Sequence, residues 1–534
     1  MTTSHATDDA LPVGTDSVRA PAAASRAAWV GLGAIVLLAV LVFWVFEALP
    51  FQDLPAHAGL IAMRHRFEHS AFEQRFFVLA PHIGPYSLFR FLGETFLRFG
   101  SPLAAVRLLA TLPVVATPAA LVLARRRLYG ESSPTFGFIG VTTSFGLMTL
   151  LGFASYLLGV AVMLVGLTLW LDLMVRADDA PKDKGTLRRE LVVLAFAPAM
   201  FIAHGHAFLL FLACAALSAV VTGDRRARLL RLRALVPALL LSGWVAWIER
   251  GGTPPGSVAR YHDILPRFQG PLDKLGLLLT PTLMTRSGID FLVACALLAF
   301  TVACTVTSLR ISRRDDTSAH ARHARALYAC AGAVGLVFLA LPHAIGWFGF
   351  VDGRLVPVAL LLALLAVRRD DLPRPLALGL HWGPPLLAST VTLLALVASY
   401  RFQAEAHGYK EVFARVPAES RLLNLPLDPN SDVFTAHPFV HYDKLVLVER
   451  PIVVSDIWLH QGSALYPTPE NPVLRLPPSY SESNLKTIDW PAYHLEDWDF
   501  VLIRTRPDAA EPRTPERLTL EEHRGGWWLY RRLR

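Results

Sequence analysis

The sequence predicts an α-helical, multi-pass membrane bundle followed by a small C-terminal α/β or α+β domain. The 534-residue chain is 53% hydrophobic and only 18% charged, with a mean hydropathy of +0.41, which is too apolar for a soluble enzyme of this length. Its apolar residues fall in runs long enough to cross a hydrocarbon core, and these runs stop near residue 400. The remaining residues are richer in Pro, Asp, Glu and Tyr, as expected for a water-exposed domain.

The basic residues orient the bundle. The formal charge is +8, but the arginines lie in short clusters at the ends of apolar runs, so they indicate membrane orientation and exclude a nucleic-acid-binding surface. Cytoplasmic loops of membrane proteins are enriched in Lys and Arg. We therefore place on the cytoplasmic side the clusters at 125–127, 182–189, 225–233, 310–314 and 368–369.

This placement requires an even number of crossings between neighbouring clusters. About eleven spans satisfy it: 27–46, 102–124, 135–151, 154–175, 190–204, 207–222, 234–249, 289–309, 326–347, 355–367 and 378–400. Residues 1–26 are then a disordered cytoplasmic tail, 27–400 a transmembrane domain, and 401–534 an extracytoplasmic domain. The predicted location is a bacterial inner or plasma membrane, with the lipid bilayer as a partner.

One segment decides this topology. Residues 84–99 are apolar enough to be counted as a crossing, but Phe89, Leu92, Phe96 and Phe99 fall on one helical face, with Arg90, Glu94 and Arg98 opposite. This is the pattern of a helix that lies in the membrane interface. The segment therefore closes a first outer loop, 47–101, without another crossing.

The C-terminal region reads as a small mixed domain. Runs rich in β-branched and aromatic residues predict strands, and a short amphipathic run predicts a helix at 409–415. The strands are predicted at 421–427, 444–448, 500–504 and 527–532. The four cysteines all lie in apolar runs without metal-ligand spacing, so they indicate neither disulfides nor a metal site.

Asp53 is the leading catalytic candidate. It is the first carboxylate of the outer loop after Glu47, and partial desolvation beside a span would raise its pKa towards a value suited to a general base. The alternative is structural, because Asp53 followed by Leu54 and Pro55 has the form of a helix N-cap. His57, four residues later, could share that helical face and orient or protonate the carboxylate, or it could simply be a polar residue at the membrane interface.

Other polar residues are predicted on the same side of the membrane. His204 and His206 flank a glycine at a predicted hairpin tip, where they could bind phosphate, act as metal ligands or simply be polar residues at a wet helix end. Arg354 opens a short span and suits bidentate phosphate recognition, although an arginine there also often snorkels to headgroups. Arg107 has the same ambiguity, and His343 is either a buried structural histidine or a site residue. The predicted outer group also includes His82, His262, Asp263 and Asp352.

Several common catalytic motifs are absent. The sequence contains no P-loop, dinucleotide fingerprint, Gly-X-Ser-X-Gly or His-Glu-X-X-His motif, which argues against nucleotide hydrolysis, redox chemistry and common hydrolases. The sequence requires no cofactor and assigns no metal ligand, although it leaves room for a divalent cation.

Taken together, these features resemble the GT-C superfamily of polytopic glycosyltransferases, which includes protein O-mannosyltransferases and aminoarabinose transferases. The resemblance lies in the carboxylate after the first span, Asp53, the interfacial first loop, the run from Tyr86 to Gly130, the late Arg354-X-X-Pro357 and the outer C-terminal domain. It implies an extracytoplasmic transfer of sugar from a polyprenyl-phosphate donor to an unknown acceptor, with Asp53 as base and Arg354 as phosphate ligand. The chain departs from the Asp-Glu pair of many members, because Gln52 and Leu54 flank Asp53.

Two other functions stay open on the sequence. A transporter or flippase for a lipid or small anion predicts broken helices and repeat symmetry, and the sequence shows no such repeat. A non-catalytic envelope assembly protein would use the 401–534 domain to bind a partner.

Overall fold

The computed structural model describes residues 26–80, 83–179, 184–222, 231–250, 255–258, 265–312, 318–346, 348–457 and 465–533. The predicted tail lies outside these residues, as do His82, His262, Asp263 and parts of the basic clusters at 182–183, 225–230 and 313–314. The described chain is a helical bundle with a small sheet domain docked on one end.

The described residues of the helical part form fifteen α-helices, which we number in chain order. They are α1 (Arg26–Val45), α2 (Leu54–Arg66), α3 (Ala71–Phe76), α4 (Ser87–Phe99), α5 (Pro102–Tyr129), α6 (Thr135–Thr143), α7 (Leu147–Leu150), α8 (Ala154–Asp179), α9 (Lys184–Ala203), α10 (Gly205–Val221), α11 (Val236–Glu249), α12 (Pro271–Leu277), α13 (Gly288–Ser312), α14 (Ala319–Ala340) and α15 (Leu355–Ala366). A long helix, α16 (Arg374–Ala406), then leads out of the bundle into the C-terminal domain.

Among the described residues, six helices are long and apolar enough to cross a membrane: α1, α5, α8, α13, α14 and α16. Three shorter apolar stretches accompany them, at Gly205–Val221, Leu232–Ile248 and Leu355–Ala366. The structure is therefore that of a multi-pass membrane protein, but it does not confirm the predicted count of about eleven spans. The core helix is α8, which packs against α5, α9 and α10 and is the most deeply buried of the six.

The predicted span 135–151 is interrupted. Helix α6 ends at Thr143, and the chain resumes as the single turn α7 after Gly146. A Cβ atom on Gly146 would lie 2.4 Å from the carbonyl oxygen of Pro281, and the amide of Leu147 donates to Thr280 O at 3.0 Å. The backbone of residues 280–281 therefore packs against Gly146 and bonds to Leu147, at the point where a continuous helix was predicted.

The segment predicted to lie in the interface is helical. Helix α4 covers Ser87–Phe99 and, at about 1.5 Å per residue, is too short to cross a bilayer. Its Phe89 is buried, whereas Phe99 is 87% exposed. Glu94 forms an ion pair with Arg64 of α2 at 2.7 Å, so two helices of the first loop are tied together.

The C-terminal domain contains a five-stranded mixed sheet in the order β5-β4-β7-β9-β8. Strands β4 (Ser420–Pro426), β5 (Ile452–Val454) and β7 (Phe500–Arg504) are parallel, and β8 (Leu518–Arg524) and β9 (Trp527–Arg532) form an antiparallel hairpin. The predicted strands at 421–427, 500–504 and 527–532 are present within one residue, and helix α17 (Tyr409–Ala414) matches the predicted 409–415.

The predicted strand at 444–448 is wrong. This segment is helix α18 (Lys444–Glu449), and the neighbouring strand is β5. Lys444, Val446, Leu447 and Val448 are all buried, so burial does not follow one face of the segment. A fully buried short run does not distinguish helix from strand by periodicity.

The C-terminal domain is joined to the first loop by backbone contacts. Strand β1 (Phe77–Leu79) of the loop pairs antiparallel with β6 (Leu465–Pro467) of the domain. The two-residue strands β2 (Pro266–Arg267) and β3 (Ala344–Ile345) pair antiparallel with each other. Arg66, at the end of α2, donates to the carbonyl oxygens of Leu447 at 2.6 Å and Arg450 at 3.1 Å, at the end of α18. The first loop and the domain therefore enclose a shared junction.

Candidate active site

Asp53 lies at this junction, in a turn held by backbone hydrogen bonds. The amides of Gln52 and Asp53 donate to the carbonyl oxygens of Leu150 at 2.9 Å and Leu151 at 3.1 Å. Gly152 follows with φ +78°, and a Cβ atom there would lie 2.3 Å from the Leu54 amide nitrogen. Only glycine permits this close approach, and it fixes where the Asp53 side chain begins.

The Asp53 carboxylate does not serve as a helix cap. Asp53 occupies the N-cap position of α2, and Pro55 stands in the first turn, but the side chain makes no capping hydrogen bond. Burial raises the pKa of Asp53 to about 6, although His441, Gln52 and Arg354 pull it down. A desolvated carboxylate with this pKa is suited to accept a proton near neutral pH.

Arg354 lies near enough to Asp53 for the two charges to interact. Arg354 is 5% exposed, and its guanidinium lies over the rings of Phe348 at 4.0 Å and Phe153 at 4.3 Å. One nitrogen donates to Gly349 O at 3.2 Å, while the buried Nε has no hydrogen-bond partner. Burial lowers the pKa of Arg354, and Tyr86, Tyr156 and Asp53 partly offset this effect.

The Arg354 guanidinium has no bonded anion in the described part of the chain. Among the described residues, no carboxylate lies within hydrogen-bonding distance of its guanidinium, and Asp53 acts on it only at longer range. A buried cation normally has a bonded counter-charge, because desolvation is costly. An entering phosphate would supply that charge and satisfy the unpaired Nε.

A buried turn positions Arg354. Asp352 accepts hydrogen bonds from the Gly353 amide at 2.7 Å, contacts His343 Nδ1 at 2.9 Å and lies 3.3 Å from Lys274 Nζ. The hydroxyl of Tyr156 donates to the carbonyl oxygen of Arg354. His343 therefore supports the turn that carries Arg354, and its ring is bonded to Asp352.

The predicted histidines of the hairpin tip lie beside Arg354. His204 lies between α9 and α10, and its Nδ1 accepts from the Ala207 amide at 3.5 Å, so it caps α10. Its ring lies 4.6 Å from that of Tyr86 and 5.3 Å from that of Tyr156. The His206 ring is 5.7 Å from Tyr156. Both histidines are close enough to Arg354 for electrostatic coupling.

The two remaining predicted residues are placed differently. His57 lies one turn after Asp53 on α2, with its ring 6.1 Å from that of Phe89, and it couples electrostatically with His204. Arg107 is directed at the end of α1, where it donates to the carbonyl oxygens of Trp44 at 2.6 Å and Phe46 at 2.9 Å. The structure thus brings Asp53, His57, His204, His206 and Arg354 together and uses Arg107 to cap the first span.

The sequence reasoning missed the contribution of the C-terminal domain. His441 Nε2 lies 3.8 Å from Asp53 Oδ1, and its Nδ1 lies 2.9 Å from Glu482 Oε2. Lys444 Nζ contacts both carboxylate oxygens of Glu482 at 2.7 Å and Asp443 at 3.0 Å. The signal in the sequence was the placing of His441, Asp443 and Lys444 inside an otherwise apolar run, which we assigned partly to a strand.

These buried charges stabilise one another. Burial alone would raise the pKa of Glu482, but Lys444 and His441 lower it below its ordinary value. Burial alone would lower the pKa of His441, but the hydrogen bond to Glu482 raises it. The network therefore favours ionised Glu482 and protonated His441.

His441, Asp456 and Glu482 also have ligand atoms within 4.8 Å of one another, close enough to hold a metal ion. However, both oxygens of Glu482 already contact the Lys444 ammonium, which is fully buried. A metal would have to compete with this ammonium for the same carboxylate. The donor set fits the existing charge network better than it fits a cation.

The comparisons with known proteins come from structure alone, since no family model and no curated protein matches the chain. The chain is similar to an oligosaccharyltransferase of Archaeoglobus fulgidus in its apo form, with 14% identity, a TM-score of 0.45, and coverage of 89% of this chain and 69% of that one. It is also similar to a mycobacterial arabinofuranosyltransferase, again with 14% identity and a TM-score of 0.45. That likeness covers 94% of this chain but only 41% of the longer one. Similarity at this level assigns neither a family nor an activity to the chain.

Proposed function

We propose that the protein is a membrane glycosyltransferase that moves a sugar from a polyprenyl-phosphate donor to an acceptor hydroxyl on the extracytoplasmic face. One observation carries the proposal: a carboxylate without a capping role, Asp53, shares a site with a buried guanidinium, Arg354, that has no bonded carboxylate among the described residues. General-base and phosphate-binding groups are thus both present.

The position of the site fits a lipid-linked donor. Asp53 and Arg354 each lie just outside an apolar helix, after α1 and before α15. A polyprenyl-phosphate sugar keeps its hydrocarbon chain in the bilayer and its phosphate at the interface. Its phosphate would therefore reach the depth at which Arg354 lies, while its sugar extends towards the C-terminal domain.

The chemistry then follows from the two groups. Asp53 accepts the proton of the acceptor hydroxyl as that oxygen forms a bond to the anomeric carbon of the donor sugar. The bond between the anomeric carbon and the phosphate oxygen breaks, and its electron pair stays on the phosphate. Arg354 stabilises the charge of the departing phosphate, and His204 and His206 lie beside it.

A turnover assay tests this function. Purified full-length protein in lipid nanodiscs would receive separate polyprenyl-phosphate donors carrying mannose, arabinofuranose or aminoarabinose, and released polyprenyl phosphate would be measured by mass spectrometry. We expect release from one donor in the presence of a suitable acceptor, and Asp53→Ala to slow it by about 10²–10⁴-fold. Release that is equally fast in Asp53→Ala would overturn the role of Asp53.

The role of Arg354 needs its own variants. Arg354→Gln should weaken donor binding, seen as a higher KM, and Arg354→Lys should restore part of it because a point charge replaces the bidentate fork. Arg75→Gln is a control, since Arg75 is exposed and paired with Glu470 at 2.7 Å. An unchanged KM in Arg354→Gln would show that Arg354 does not bind the donor phosphate.

A further inference from the structure

The C-terminal domain contributes a charged group to the Asp53 site. His441 is 6% exposed and lies between two carboxylates, with Nδ1 at Glu482 and Nε2 at Asp53. A carboxylate has no proton to donate, so an imidazole that faces ionised carboxylates on both sides carries a hydrogen on each ring nitrogen. The geometry is that of an imidazolium held between Glu482 and Asp53.

The far side of His441 is rigidly held. Glu482 is 1% exposed and is bonded by Lys444, by the Tyr480 hydroxyl at 3.0 Å and by the Ser455 hydroxyl at 3.2 Å. Asn424 in β4 donates to Asp443 at 3.0 Å, which ties the network to the sheet. Because its carboxylate partner is fixed, the His441 ring can present only Nε2 to Asp53.

We propose that His441 is a positioning residue for Asp53: the C-terminal domain inserts an imidazolium, oriented by Glu482, that keeps the Asp53 carboxylate ionised and aimed at the acceptor hydroxyl. This inference rests on the proposed function for its catalytic meaning. The contact between the two side chains can nevertheless be tested without turnover.

The charges around His441 determine in which direction the pKa of Asp53 should change when His441 is replaced. It faces Asp53 from the first loop and, from its own domain, Glu482 and Lys444, with Asp443 and Asp456 nearby. The positive imidazolium is the largest opposing influence on the burial-raised pKa of Asp53. Removing it should leave Asp53 harder to ionise.

The direct experiment is infrared difference spectroscopy of the full-length protein in nanodiscs across a pH series. The protonated carboxyl band of Asp53 is identified by its loss in Asp53→Asn. In His441→Asn, which keeps a donor near the Nδ1 position but removes the group facing Asp53, the Asp53 midpoint should rise by about one pH unit. His494→Asn, at an exposed histidine paired with Glu496, should leave it unchanged.

A second variant guards against misfolding. His441→Gln places a neutral amide near the Nε2 position and should give the same upward shift in a protein that melts cooperatively. An Asp53 midpoint that stays at its wild-type value in both folded variants would overturn the inference, whether or not the protein releases polyprenyl phosphate.

Two activity measurements separate positioning from simple structural support. In the turnover assay, both His441 variants should move the acidic limb of kcat/KM to higher pH, whereas a structural defect would lower the rate equally at all pH values. Treatment with EDTA should leave wild-type activity and the Asp53 midpoint unchanged. If chelation abolishes the activity or shifts the Asp53 midpoint, and a divalent ion restores it, then a metal ion and not the imidazolium acts on Asp53. That result would contradict the inference.

Discussion

At the residue scale, the chemistry of the site depends on how buried charges are neutralised. Asp53 and Arg354 are both desolvated, and neither has a hydrogen-bonded partner of opposite charge among the described residues. Glu482 and Lys444, by contrast, are fully paired. The paired charges build a rigid wall, and the incompletely paired ones remain able to act on a substrate.

The pH dependence of activity follows from Asp53. Its pKa of about 6 means that the base is protonated and inactive below that pH and ionised above it. We expect kcat/KM to fall on the acidic side with a midpoint near that value. Asp53→Glu should keep this acidic fall in rate, whereas Asp53→Asn should lose it and turn over at a low residual rate, about 10²–10⁴-fold below wild type. The measurement is initial polyprenyl-phosphate release over a pH series; a rate that is flat through this range would exclude Asp53 as the titrating base.

The same burial predicts a stability effect. The folded-state pKa of Asp53, about 6, exceeds the ordinary 3.8, so the folded protein binds this proton more tightly than the unfolded chain does. Stability from this group is therefore present at low pH and lost as pH rises through about 6, a difference on the order of 2–3 kcal/mol.

Asp53→Asn removes that cost of ionisation. We expect Asp53→Asn to melt at a higher temperature than wild type at pH 7.5, with the difference shrinking as the pH falls towards 4. Thermal unfolding in detergent, followed by fluorescence at both pH values, measures it. A variant less stable than wild type at the higher pH would show that Asp53 is well solvated or fully paired.

At the element scale, the turn before α2 shows what sequence patterns can and cannot predict. Asp53 and Pro55 correctly indicated a helix start, and α2 begins at Leu54. Whether the carboxylate caps the helix depends on its rotamer and its neighbours, which lie almost 100 and almost 400 residues away, in Gly152 and His441. Neither contact is visible in local spacing, so the role of the side chain could not be read from it.

Gly152 offers an element-scale test. An alanine there would combine a strained φ of +78° with a Cβ atom 2.8 Å from the Asp53 amide nitrogen. Gly130 is a matched control, because its φ is +70° but no atom lies within 4 Å of the added Cβ. Both substitutions carry the backbone strain, and only Gly152→Ala displaces Asp53.

We expect Gly130→Ala to lose on the order of 1 kcal/mol of stability with near-normal turnover. Gly152→Ala should lose more stability and slow turnover by on the order of 10²-fold, because small misplacements of reacting groups are costly. Melting temperature and polyprenyl-phosphate release are the two readouts. Equal turnover in the two variants would mean that the 150–152 turn does not position the base.

At the scale of the whole molecule, the sequence predicted a mostly helical chain with a small C-terminal sheet, and the structure has both. Helix α4, the C-terminal sheet and three of its strands are present at or near their predicted positions. Hydropathy and periodicity encode these features directly. The predicted count of spans was not confirmed, because short apolar runs such as 144–151 and 355–366 form broken or short helices whose ends depend on packing with distant turns.

The contact between the first loop and the C-terminal domain was not predicted from the sequence. Pairing of β1 with β6, and the bonds from Arg66 to the end of α18, close the C-terminal domain onto the first loop. His441 reaches Asp53 because of this docking. A site at such a junction cannot be assigned to either domain alone, and the sequence analysis had placed all of its candidate residues in the membrane part.

The most direct test of a single site across the junction is a double-mutant cycle on kcat/KM for polyprenyl-phosphate release. It compares wild type, Asp53→Asn, His441→Asn and the double variant under identical conditions. If His441 acts through Asp53, adding His441→Asn to Asp53→Asn should cause no further loss. Losses that multiply in the double variant would contradict the account, since they would show that the two residues act independently.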